Sequence, residues 1–167
     1  KLMMRKTLES RDIFFFCDFH GHSTHRNIFM FGNNQQKQND RLKEKIFPML
    51  FAENNENFSF DDCNFAVQKS RESTARVVMW KEFNLINSYT LECSFCGPSR
   101  GIYSGCHFNT TLMMVMGRVF CKTLVDFAEN ESRARQIWAD LQLRFPLNGN
   151  GNARNNDDRD ANNNVSQ

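Results

Sequence analysis

The sequence predicts an α/β fold, and three observations predict it. Two short segments, Asp12–Phe19 (DIFFFCDF) and Ile28–Phe31 (IFMF), are dominated by apolar residues and have the length of strands. A third, Ser88–Phe95 (SYTLECSF), alternates with the two-residue period of a strand. Around them lie segments whose apolar residues recur every three or four positions, the spacing of one helix face. Strands interleaved with helices define the α/β class.

Lys1–Arg11 is mixed polar and reads as the end of a helix. The chain opens on Lys rather than Met, so it is expected to begin inside a longer polypeptide. The near-continuous apolar run Asp12–Phe19 predicts a central strand buried on both faces. His20–Asn27 reads as a polar loop, and Ile28–Phe31 as a short strand closed by Gly32-Asn33-Asn34. In Asn39–Phe51, Leu42, Ile46, Met49 and Leu50 have helical spacing, and Pro48 is expected to end or kink that helix. Asn54–Asn64 reads as loop. Ser73–Asn84 is ambiguous: Val77, Val78, Met79 and Trp80 favour a strand, whereas Ser73 and Thr74 are good helix caps. Thr110–Glu129 and Ser132–Phe145 carry helical apolar spacing, the latter through Ile137, Trp138 and Leu141. Residues 1–147 thus form one domain. Residues 148–167 are Asn-, Asp- and Gly-rich with almost nothing apolar, and such a tail is expected to be disordered because it cannot bury enough surface to offset the entropy of ordering.

Bulk composition excludes several classes. With 21 basic and 19 acidic residues the net charge is +2, and no basic face marks a nucleic-acid binder. No apolar run reaches the ~20 residues that span a bilayer. Seventeen Phe supply ample core material. Of the six Cys, Cys17, Cys93, Cys96 and Cys121 sit in apolar runs, where a reduced Cys behaves as a small hydrophobe. Reduced thiols point to the cytoplasm. Cys93-Ser-Phe-Cys96 spells CxxC, but there is no second such pair and the segment reads as a strand entering a Gly-Pro turn.

Three constellations could carry chemistry. Asp18-Phe19-His20-Gly21-His22-Ser23-Thr24-His25 places three His after a predicted strand, and neutral imidazole is a good zinc ligand. The bland alternative is a polar loop that happens to contain His. Glu92 lies in an apolar strand, where burial is costly and would raise its pKa toward that of a general base. The alternative is an edge-strand Glu facing water. Lys69-Ser70-Arg71-Glu72-Ser73-Thr74-Ala75-Arg76 brings three cations together and could hold a carboxylate, although on spacing alone a solvated charged loop explains it as well.

FCDFHGHSTHRNIFMFGN, KSRESTARVVMWKEF, NSYTLECSFCG, GIYSGCHFN and the helix carrying Met116-Gly117 occur in one order that resembles the cytosolic carboxypeptidases, a branch of the zinc metallocarboxypeptidases. The resemblance runs from Asp12 to Glu129 and corresponds to the C-terminal half of the catalytic domain. It implies part of a mixed, mostly parallel sheet flanked by helices. It implies zinc as cofactor, His20 as a metal ligand with His22 and His25 as neighbours, and Glu92 as the base that activates water. It further implies that Arg76, with Lys69 or Arg71, lines the pocket for an acidic side chain. Family members remove C-terminal or branch glutamates from acidic protein tails such as those of tubulin. The family's His-x-x-Glu ligand pair is absent here: His20, His22, His25 and His107 are followed three residues on by Ser23, His25, Ile28 and Thr110. Thr24-His25 stands where relatives carry two basic residues. The reading is therefore a partial catalytic domain, inactive as this chain alone, that belongs to a zinc carboxypeptidase. The alternative is a truncated, catalytically incompetent module that binds acidic tails. A CxxC redox protein is a third, disfavoured reading.

Overall fold

The first apolar run enters the core before it becomes a strand. The structure, a computed structural model, describes residues 1–147, so the predicted tail lies outside the described residues. After a short helix α1 (Leu2–Leu8), Phe14 stacks on Phe127 at 5.3 Å, and Phe15 inserts between Phe47 and Tyr89 at 4.6 and 5.3 Å. Pairing begins only at Phe16, and strand β1 (Phe16–His22) continues through His20-Gly21-His22, which the sequence suggests is loop. Strand β2 (Ile28–Phe31) follows a turn, and strand β3 (Ser88–Ser94) completes a three-stranded sheet of order β1-β3-β2.

One sequence expectation is corrected by this order. β3, not the first run, is the central strand, and every residue of β3 is buried. β1 is an edge strand, half-buried to exposed along its length, because it has a neighbour on one side only. The sheet is mixed, as the resemblance implies: β1 pairs parallel to β3, whereas β2 pairs antiparallel to it. The outer edge of β2 is covered by the 57–64 segment, through Ile28 N–H to Asn57 O (3.1 Å), Ser59 N–H to Ile28 O (2.7 Å), Asn64 N–H to Met30 O (3.1 Å) and Gly32 N–H to Asn64 O (2.9 Å).

Helices cover both faces. Helix α2 (Ile46–Asn54) sets Phe47 and Phe51 against the face formed by Tyr89 and Leu91, joined by Phe120 of helix α4 (Thr110–Glu129). Phe47 makes ring contacts with Phe15, Phe51, Tyr89, Phe120 and Phe127, so it is the hub of this core. Helix α5 (Glu131–Arg144) packs Ile137 and Leu141 on Leu42, Ile46 and Leu50 behind α2. Helix α3 (Ala75–Phe83) lies against the other face, where Ser88 Oγ donates to Arg76 O at 2.8 Å.

Three further expectations resolve on local grounds. The Asn39–Phe51 helix is two 3-10 turns, Gln38–Asp40 and Lys43–Lys45, followed by α2. Leu42 has φ +67° and interrupts the pattern there. Pro48 neither ends nor kinks α2, because it falls in the first turn, where the missing N–H has no intrahelical acceptor to lose. The ambiguous 73–84 segment is helical: it starts after Thr74 and stops at Asn84, whose left-handed φ of +53° turns the chain away.

Candidate active site

Side chains on paired strands share a face every second residue. The β1–β3 register sets His20 opposite Glu92, Asp18 opposite Thr90 and His22 opposite Ser94, all on one face. On the other flank of β3, Phe29 of β2 is the partner of Glu92. The Glu92 carboxyl therefore sits between an imidazole strand and an aromatic strand, 8% exposed. Burial raises its pKa above the ordinary carboxylate value; the charges of His20 and Arg71 oppose that rise, and Asp18 adds to it. The reading of Glu92 as an edge residue facing water does not hold, because β3 is the centre of the sheet.

His20 is exposed, and its Nε2 lies 2.8 Å from Asp18 Oδ2, a partner two residues back on the same face. His22 has a different task. Its Nδ1 accepts the backbone N–H of Thr24 (3.3 Å) and of His25 (3.1 Å), which fixes the turn out of β1 and, in the neutral ring, leaves the proton on Nε2. His22 and His25 stack edge-on at 5.1 Å, and both rings pack on Phe29. Burial, then the neighbouring His25, lowers the His22 pKa.

The three cations separate. Arg71 ends the exposed turn Lys69–Arg71, and of the three it is the one whose charge bears on Glu92. Lys69 is exposed on the same turn. Arg76, in the first turn of α3, is buried: its Nη1 donates to Gly32 O and to Asn33 Oδ1 (2.8 Å), and its Cζ sits 5.9 Å from the Phe31 ring. Burial, then Arg71, lowers its pKa to about 10.

One residue that sequence reasoning missed organises the rim. Asn27, buried at φ +68°, donates its N–H to Gly97 O (3.2 Å) and accepts Ser94 N–H (3.0 Å). Its Oδ1 accepts Ser99 N–H (2.7 Å), and its Nδ2 donates to Asp62 Oδ2 (3.0 Å). It thus ties the end of β3 to two loops. An Asn between a polar turn and an apolar strand, a favoured left-handed position, is the only signal the sequence carries. Within the CxxC spelling, Cys93 is buried: burial pushes its thiol to about 11, and its Sγ rests 3.5 Å from Met113 Sδ. A redox thiol needs the opposite shift.

The donor set decides how a metal would fit. A catalytic zinc takes three protein ligands. Among the described residues no group of three His, Cys, Asp or Glu side chains is placed to hold one metal ion, so the residues present offer His20 as a single imidazole donor and do not by themselves form that centre. No helix among them is long and apolar enough to cross a membrane.

Comparison with solved structures defines the class. A metallo-carboxypeptidase from Burkholderia cenocepacia matches 74% of this chain and 33% of its own length, with a TM-score of 0.60 at 16% identity. A putative carboxypeptidase from Burkholderia mallei matches 81% of this chain and 34% of its own length, with a TM-score of 0.61 at 16% identity. The fold is that of a metallocarboxypeptidase segment. Sequence is more specific. Cytosolic carboxypeptidase 2 of Danio rerio is 42% identical over 129 residues, 76% of this chain and 18% of that protein. The Homo sapiens protein of the same name is 39% identical over 142 residues, 84% of this chain and 16% of that protein. Cytosolic carboxypeptidase 3 of Bos taurus is 42% identical over 130 residues, 76% of this chain and 13% of that protein. No family model matches. The chain belongs to the cytosolic carboxypeptidase family and spans less than a fifth of the length of these relatives.

Proposed function

We propose that this segment supplies the general base and one metal-binding imidazole of a carboxypeptidase site that hydrolyses the C-terminal peptide bond of acidic protein tails. The observation that carries the reading is Glu92: a carboxyl buried in the central strand, opposite His20, with its pKa raised by burial. A carboxylate so placed takes a proton at Oε from an attacking water and returns it to the leaving amine. Zinc suits the imidazole of His20, with its remaining ligands supplied from outside the described residues. Arg71, whose charge reaches Glu92, and Lys69 beside it favour a substrate ending in glutamate, at a main-chain end or a branch, as on tubulin tails. Cytoplasmic residence is proposed from the relatives' names and from six free cysteines.

The test is a chimera of the zebrafish relative in which this chain's matched residues replace its own. Glu92→Gln keeps the shape but cannot accept a proton, and general-base loss lowers kcat by ~10²–10⁴-fold. Near-normal release of terminal residues by that variant would falsify the assignment. A second reading, a module that binds acidic tails without cutting them, is favoured by the single donor His20. It predicts that the chimera binds glutamate-ended peptides but releases nothing even with Glu92 intact.

A further inference from the structure

We propose that Asp18 is a positioning residue: by accepting the Nε2–H of His20 it fixes the tautomer and the orientation of that imidazole and leaves Nδ1 as the atom that binds the metal. The proposal deepens the reading of His20 as a metal-binding imidazole and rests on it. Asp18 and His20 are two residues apart on β1, so both side chains stand on the face that also carries Thr90 and Glu92 of β3. Asp18 Oδ2 lies 2.8 Å from His20 Nε2, the separation of a charge-assisted hydrogen bond. An ionised carboxylate only accepts, so the proton in this contact sits on Nε2. The neutral ring then keeps its lone pair on Nδ1, and among the described residues that atom has no hydrogen-bond partner.

His22 shows the opposite arrangement on the same strand face. Its Nδ1 accepts two backbone N–H groups, of Thr24 at 3.3 Å and of His25 at 3.1 Å, so its lone pair is engaged within the turn. Of the two imidazoles on this face of β1, His20 alone keeps a free nitrogen. Spacing does not separate the two histidines of His20-Gly21-His22, because both fall on one face; what each ring is already bonded to separates them. A ligating His whose other nitrogen is held by a carboxylate has its ring orientation pinned and its basicity raised.

Stability does not account for the contact. The His20 and Asp18 side chains are 51% and 38% exposed, and ion pairs open to water contribute little to folding. The Asp18 charge is felt at Glu92, so the pair belongs to the site and not to a remote stretch of surface. A group that orients a ring while adding little to the fold can be removed without unfolding the chain, and its loss shows in the ring.

The first experiment uses the metal-free 167-residue chain. Nitrogen–proton correlation spectra at about pH 9, above the ordinary imidazole range, report which ring nitrogen carries the proton, and His20→Ala assigns the signals. A single Nε2–H form is expected for His20 in the wild type and a mixture of both forms in Asp18→Ala. The second experiment reads zinc affinity in the zebrafish chimera by competition with a chromophoric chelator. Asp18→Ala should weaken it by ~10–100-fold. Asp18→Asn, whose Oδ1 still accepts the Nε2–H, should weaken it by less, with the metal-free Tm unchanged in both variants. A mixture of ring forms in the wild type, or an unchanged affinity in Asp18→Ala, overturns the proposal. So does an equal loss in both variants, which makes Asp18 a ligand itself, and so does a lowered Tm in Asp18→Ala, which marks a structural role. If the chain alone gives no resolved ring signals, the chelator competition decides. His20→Ala in the chimera separates the two claims. Zinc affinity that survives it sinks the reading of His20, whereas affinity lost there and kept in Asp18→Ala sinks only the positioning role.

Discussion

At the scale of single residues, charge and burial separate side chains that the sequence writes alike. Arg71 and Arg76 lie in one basic stretch, yet one is exposed with its charge on Glu92 and the other is buried on Gly32 and Asn33. In the chimera, Arg71→Ala should raise KM for glutamate-ended peptides with Tm unchanged. Arg76→Ala should lower stability by ~2–4 kcal/mol, because Gly32 O and Asn33 Oδ1 lose a buried donor. A normal melting curve for Arg76→Ala, together with a raised KM, would reverse the two roles. Glu44 is a second case. It is 2% exposed, its Oε2 has no hydrogen-bond partner, and burial raises its pKa to about 7, against the pull of Lys45 and Arg41. Its folded pKa lies above the unfolded value, so the folded state holds the extra proton as pH rises from ~4.5 to ~7. Stability falls across that window, and the cost is fully present above it. Glu44→Gln should flatten the fall and stabilise the protein at pH 8 by up to ~3 kcal/mol. Denaturant titrations at pH 5 and 8 that give wild type and variant the same difference would refute it. The reach of Glu92 was legible as a carboxyl in an apolar strand. The split between Arg71 and Arg76 was not, because it depends on where β2 ends.

At the scale of elements, ends matter as much as interiors. Asn130 closes α4 and opens α5: its N–H bonds Asp126 O, and its Oδ1 accepts Arg133 N–H at 3.1 Å. Asn109 caps α4 by accepting Leu112 N–H at 3.0 Å. Replacing either with Ala should cost ~1 kcal/mol, and the double variant about the sum, since the two caps lie at opposite ends of a 20-residue helix. Thermal unfolding checks this; a cost below a few tenths of a kcal/mol for Asn130→Ala would mean its contact is replaced by water. Both long helices were legible, since their apolar spacing runs through several turns. The 73–84 segment was not, because Val77, Val78, Met79 and Trp80 suit either a strand or a helix, and packing against the sheet decided between them.

At the scale of the whole molecule, one aromatic core joins the sheet to α2 and α4. Phe47, fully buried and in contact with five other rings, is where these elements meet. Phe47→Ala should cost ~3–5 kcal/mol, a large part of a typical domain's stability, whereas Phe47→Leu keeps much of the volume and should cost less. Urea midpoints order the three proteins, and equal midpoints for wild type and Phe47→Ala would place the core elsewhere. The sequence by itself determined the α/β class, the three strand segments, the two long helices and the blocks that align the chain with the cytosolic carboxypeptidases, because periodicity and short-range motifs are local. Only the tertiary structure decided which strand is central, how the sheet is mixed and which edge is bare. Those depend on pairing between segments far apart in sequence, such as His20 with Glu92, and an apolar run has the same spelling whether one neighbour covers it or two.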